Sequence, residues 1–149
     1  MPSRGWLVRT AQSTAAPMTT LAARGSYRCT MRSLVVKATA GADAPERCSQ
    51  AFTVAAVGVA AGANVSLWLT GESSWFALPG RAAEFQLLEA APLAELLEAV
   101  LAGGRVTLCT QCAARRSITA DQVIPGVRIA GAQAFVQEAL DEGAQALVY

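Results

Sequence analysis

The chain has 149 residues, 53% of them hydrophobic and 15% charged, which suits one globular domain and argues against two domains or a largely disordered polymer. Its net charge of +1 conceals an asymmetry: residues 1–32 hold five arginines and no acid, whereas residues 33–149 hold seven basic and eleven acidic residues, a balance of −4. A folded part of that sign has no electrostatic footprint for nucleic acid, and a chain without histidine cannot form a Cys-His dyad.

Residues 1–32 lack apolar periodicity and are rich in Arg, Ser, Thr and Ala. They read as a disordered or non-native N-terminal extension, either a leader resembling a transit peptide or the result of a start placed ahead of Met31. No signal-peptide h-region and no apolar span of about 18 residues is visible, which argues against secretion and against a membrane partner. Four cysteines without regular framework spacing suit a reducing compartment, so a cytoplasmic location is expected.

From residue 33 onward strands and helices alternate. "SLVVKATAG" (33–41) is a β-branched apolar run ending in glycine, the pattern of a buried strand. The spacing then predicts a helix over 42–63, with Asp43 as N-cap, Pro45 in the first turn, Glu46 three residues after the cap and Gly62 as the stop. "NVSLWLTG" (64–71) is a second strand, and 72–86 is irregular, punctuated by Pro79–Gly80. Leucines 93, 96, 97 and 101 mark a helix over 91–104. "RVTLCT" (105–110) is a third strand, Thr119–Val123 a short helical piece, 126–131 a fourth strand, 132–144 a helix and 145–149 a last strand. This alternation specifies a single α/β three-layer domain over 33–149, with a mainly parallel five-stranded sheet covered on both faces.

In such sheets functional groups gather beyond the carboxyl ends of the strands. Cys109 ends the third strand and Cys112 falls in the turn after it. With the common strand order 2-1-3-4-5, strands one and three are neighbours, and Cys48 and Cys109 open onto one crevice. Thiols react as thiolates, favoured by nearby cations and turn amides, and Arg115 and Arg116 are placed to supply the charge that an imidazolium would otherwise bring. Cys29 and Cys48 read as core residues. Lys37, inside an apolar strand, is either a paired structural charge or a site residue. Trp75 and Phe76, after Ser73–Ser74, form either a lid over the crevice or core and oligomer-contact aromatics. One C-x-x-C without histidine or a second C-x-x-C falls short of a structural zinc site, so no metal is expected. Thioredoxin-like redox motifs follow an early strand, not the third of five. There is no P-loop, G-x-G-x-x-G or G-x-S-x-G, and no cofactor is expected.

Two ordered stretches resemble one family. "TAGADAPERC" (39–48) is similar to the T-x-G-x-D-x-P-E-R opening of the DsrE/DsrF/TusD-type sulfur-relay proteins. "CTQCAARRSITADQVIPGVRIAGA" (109–132) is similar to their second signature, C-x-x-C-A, basic residues, then I-T-x-x-x-[LV]-I-x-G. The resemblance continues through 65–80 and spans about 33–149. It implies a flavodoxin-like sandwich assembled into homotrimers or homohexamers. It also implies a cysteine after the central strand, here Cys109, that accepts sulfane sulfur as a persulfide from a donor protein and hands it to an acceptor protein. Cys112 matches the extra cysteine of a subgroup, and the first motif places Thr39, Gly41, Asp43 and Arg47, with Trp75, around the ligand. Ala40 stands where many relatives carry His, Ser117 where glycine is usual, and Ser73–Ser74 where Gly-Val is common.

The leading reading is thus a sulfurtransferase-like sulfur carrier in which Cys109 is the nucleophile, Cys112 a resolving or second acceptor thiol, and Arg115 and Arg116 stabilise the thiolate. Two other readings stand beside it: dithiol redox chemistry at Cys109 and Cys112, and a non-catalytic oligomeric module that binds a small ligand. An alanine-rich first helix and the apolar surplus point to self-assembly.

Overall fold

A computed structural model describes residues 32–149; the arginine-rich segment and Cys29 lie outside the described residues. Five strands, β1 (Ser33–Ala38), β2 (Asn64–Leu69), β3 (Arg105–Cys109), β4 (Val127–Ala130) and β5 (Ala144–Val148), form one sheet in the order β4-β3-β2-β1-β5. Every pairing is parallel. This corrects the expected 2-1-3-4-5 order. β2 lies at the centre and separates β1 from β3, so Cys48 and Cys109 do not belong to neighbouring β-α units. β3 is flanked on both sides but sits off the centre.

The strand order determines which face each helix covers. Successive strands β1 to β4 step one way across the sheet, so right-handed crossovers put α1 (Pro45–Ala60) and α3 (Leu93–Gly103) on the same face. The chain then returns to lay β5 beside β1, and α5 (Ala132–Leu140) covers the other face. The first face is the dry core. Val36, Ala38, Val65, Leu67, Leu69, Val106 and Leu108 meet Cys48, Ala51, Phe52 and Ala55 of α1 and Leu93, Leu97 and Val100 of α3, all buried at helical spacing. Fully burying a Phe or Leu of this kind contributes about 2 kcal/mol. The second face is different: α5 has no buried residue and rests on a row of polar and aromatic side chains.

Helix boundaries differ from the sequence expectation where local chemistry does. α1 begins at Pro45 after Ala44, and no side chain caps it. Asp43 turns back instead, its Oδ1 accepting from the Gly41 amide at 2.7 Å. At the other end Ala63 and Gly62 donate to the carbonyls of Gly58 and Val59, the paired bonds of a Schellman close with Gly62 at φ +79°. Residues 72–86 are more regular than expected, with a 3-10 helix (Gly71–Ala77) and one helical turn, α2 (Arg81–Glu84). Thr119–Val123 is a turn rather than a helix; the helical piece lies earlier, at α4 (Thr110–Arg115), and it carries Cys112. Among the described residues no helix is long and apolar enough to cross a membrane.

α4 closes as α1 does, with Ser117 and Ile118 donating to Ala114 and Ala113. Ser117 occupies the left-handed position of this motif at φ +52°, where a Cβ is disfavoured. Ser117→Gly is therefore expected to stabilise the protein by about 1 kcal/mol, read from the midpoint of urea unfolding at unchanged slope.

Candidate functional site

β3 delivers Cys109 to the carboxyl edge of the sheet, half-buried, as the residue that caps α4. Cys112, one helical turn on, is buried at the back of the same turn, and both thiols are free. Cys109 precedes the first turn of α4, so the main-chain amides of Gln111 and Cys112 turn toward its sulfur without closing a side-chain cap. Burial alone would raise the Cys109 pKa. The Cys112 amide and thiol, the Gln111 amide and the Lys37 ammonium outweigh it and hold the thiol below its ordinary range.

The charge felt at Cys109 thus comes from Lys37 on β1. Arg116 is engaged elsewhere. Its guanidinium pairs with Glu72 at 2.6 Å, donates to the Cys112 carbonyl at 3.4 Å and lies 5.7 Å from the Trp75 ring centre. Glu72 is the acid it meets. Arg115 is exposed at the end of α4 and has no ion-pair partner among the described residues. Neither arginine is the source of charge at the sulfur. Cys48 is fully buried in α1, and burial, with the Asp43 carboxylate adding to it, pushes its thiol up to about 12. It is a core residue.

Behind Cys112 two loops press together. Gly71, at φ +53°, donates its N–H to the Cys112 sulfur at 3.3 Å. A Cβ there would lie 2.5 Å from the Thr39 carbonyl oxygen, and a Cβ at Gly41 would lie 2.9 Å from the Glu72 backbone. Both glycines exist for this close approach. Thr39 donates its hydroxyl and its amide to the Tyr149 carbonyl, tying β1 to the chain end, and Asp43 holds the Gly41 amide. Thr39, Gly41 and Asp43 therefore shape the loop, and Arg47 is exposed on α1. Trp75 is half-buried between Arg81 and Arg116 and lines, with Glu72, Phe76 and Phe85, a cleft of about 280 Å³ that neither Cys109 nor Cys112 lines. Among the described residues no group of three or more Cys, Asp or Glu side chains gathers where a metal could sit.

Sequence reasoning missed two further features. Gly71 was signalled only by its place after the second strand. The other is Glu138 on α5, whose carboxylate accepts from Ser66 at 2.6 Å, Trp68 Nε1 at 2.8 Å, Arg105 at 3.0 Å and Arg128. Burial works against the charged form, but these donors and the Arg128 charge keep Glu138 below its ordinary range.

Comparison with known proteins follows the same lines. The structure matches the crystal structure of the ychN protein from E. coli with a TM-score of 0.67, covering 80% of this chain and 100% of that one at 21% identity, a likeness of fold. No curated protein matches the chain. The model of the DsrE/DsrF-like family matches residues 32–149, all of the described residues, with both cysteine-bearing motifs. The chain belongs to the DsrE/DsrF-like family.

Proposed function

We propose that the protein is a sulfur-relay carrier that holds sulfane sulfur as a persulfide on Cys109. The observation that carries this reading is a half-exposed thiol at a strand end, held below its ordinary pKa range by amides, a second thiol and a lysine. The Cys109 thiolate attacks the outer sulfur of a donor persulfide. A new S–S bond forms on Cys109 as the donor's own S–S bond breaks, and the donor leaves as a thiolate that takes a proton from water. An acceptor thiolate then removes the outer sulfur in the same way, so no external oxidant or reductant is required. Cys112, buried and bonded by Gly71, supports Cys109 from behind and serves as the second thiol. Three free thiols among the described residues suit a reducing, cytoplasmic setting.

Incubation of the protein with a low-molecular-weight persulfide, followed by peptide mass spectrometry, is expected to add about 32 Da to the Cys109 peptide. Cys109→Ser removes that adduct and Cys112→Ser retains it. An adduct confined to other cysteines refutes the reading. A Cys109–Cys112 disulfide formed in place of the adduct favours dithiol redox chemistry, for which the placing of both cysteines within the first turn of α4 is the supporting observation.

Self-assembly belongs to the same proposal. β5 is an edge strand with Leu147 and Val148 exposed, and Val136 and Leu140 are exposed one turn apart on α5. Bare edge strands and contiguous apolar surface are normally covered. Light scattering at micromolar concentration is expected to give the mass of a trimer or hexamer, and a monomer mass contradicts it.

A further inference from the structure

The third layer of the sandwich touches the chemistry through one aromatic ring. Lys37, Trp68, Thr107 and Arg128 are paired in register across β1, β2, β3 and β4, forming one row. Their contacts place this row on the α5 face: Lys37 Nζ lies 4.8 Å from the centre of the Phe135 ring, which meets Trp68 edge-on at 5.5 Å. Arg128 stands 5.7 Å over Trp68 and donates to Thr107 at 2.7 Å. Cys109 follows Thr107 by two residues, so its side chain leaves the strand on this same face. By strand spacing and rise, the Cα atoms of Lys37 and Cys109 are roughly 12 Å apart, a gap that a long lysine arm narrows to within electrostatic reach.

We propose that Phe135 is a positioning residue for the thiol chemistry, its ring holding the Lys37 ammonium on the α5 face beside Cys109. The inference rests on the reading of Cys109 as the working thiol, and it assigns α5 a task in the site. The other charged groups around Cys109 are otherwise engaged. On β3, β4 and α5, Arg105 and Arg128 pair with Glu138, which Ser66 and Trp68 enclose. On the α4 side Arg116 pairs with Glu72 and Arg115 is exposed. Lys37 has no carboxylate within ion-pair distance among the described residues, and its neighbour is the aromatic face. A partly desolvated cation–π contact is strong enough to bias where such an arm rests.

The test reads the reduced thiol and needs no sulfur donor, so it separates this inference from the persulfide reading. Iodoacetamide alkylation of the Cys109 peptide is followed by mass spectrometry across pH. Phe135→Leu is expected to slow alkylation at pH 7 about three-fold and to move the midpoint of the profile upward. Phe135→Tyr, which keeps the ring, retains the wild-type profile. Lys37→Met gives the same slowing, and adding Phe135→Leu to it gives no more, because the two act through one contact. An unmoved profile in Lys37→Met or in Phe135→Leu overturns the proposal. So does equal slowing by the tyrosine variant, or further slowing by Phe135→Leu in the Lys37→Met background, since either outcome assigns the ring a packing role. If Phe135→Leu does not fold, Phe135→Met, which also removes the ring, is read in its place with the same two outcomes. Persulfide loading that fails while these shifts appear rejects the sulfur reading and leaves the positioning role standing.

Discussion

Glu138→Ala is expected to destabilise the protein by about 3 kcal/mol at neutral pH, measured by urea unfolding. The magnitude comes from what the missing carboxylate leaves behind. Trp68 is 1% exposed and its indole N–H has Glu138 as acceptor; Ser66 is nearly as buried. An orphaned buried donor costs about 1–3 kcal/mol. The pairs with Arg105 and Arg128 add little, because those arginines are 50% and 40% exposed. Glu138→Gln keeps one acceptor oxygen and the shape, so it costs about 1 kcal/mol. The pH dependence has a definite sign. Folding lowers the Glu138 pKa from its ordinary 4.5, so its contribution is whole above that value and is lost as the pH falls through the lower folded one. The gap between wild type and Glu138→Gln therefore narrows on acidification. A gap that stays constant from pH 7 down to about pH 3 contradicts the account.

Gly71→Ala is expected to cost at least about 3 kcal/mol and to disturb Cys112 directly. A Cβ at φ +53° brings about 1–2 kcal/mol of backbone strain, and here it also lands 2.5 Å from the Thr39 carbonyl oxygen, so one of the two loops must move. That movement displaces the Gly71 N–H from the Cys112 sulfur. Gly62→Ala is the control. Gly62 has φ +79°, yet nothing lies within 4 Å of its added Cβ, so it carries the strain without the clash and costs about 1 kcal/mol. Equal losses in the two variants, compared by urea unfolding, contradict the close-approach argument for Gly71.

Residues near one another in the chain were legible and residues far apart were not. The β-branched run at 33–38, the leucine spacing at 93–101 and the glycine stop at 62 each carry their own structural instruction, because hydrogen bonds and apolar periodicity within a segment are local. Where local options compete, boundaries shift: Asp43 bonds its own loop instead of capping α1, and the helical piece after β3 forms at residues 110–115, around Cys112, rather than at 119–123. Of the candidate site residues, Cys109 and Cys112 stand together as their three-residue spacing requires. Arg116 was legible as a charge but not by partner, because Glu72 lies 44 residues away in the chain.

The amino-acid pattern alone determined an α/β domain, its strands and main helices, and a pair of thiols at the mouth of the third strand. Strand order was decided by packing, because parallel strands meet only through crossovers and no single segment encodes its neighbour. That order separates β1 from β3 and sends α5 to the far face, where Phe135 meets Lys37 and Glu138 gathers donors from three strands. Charge acts through space, so the lysine that faces Cys109 is 72 residues before it in the chain, while the arginines a few positions away face Glu72 and solvent.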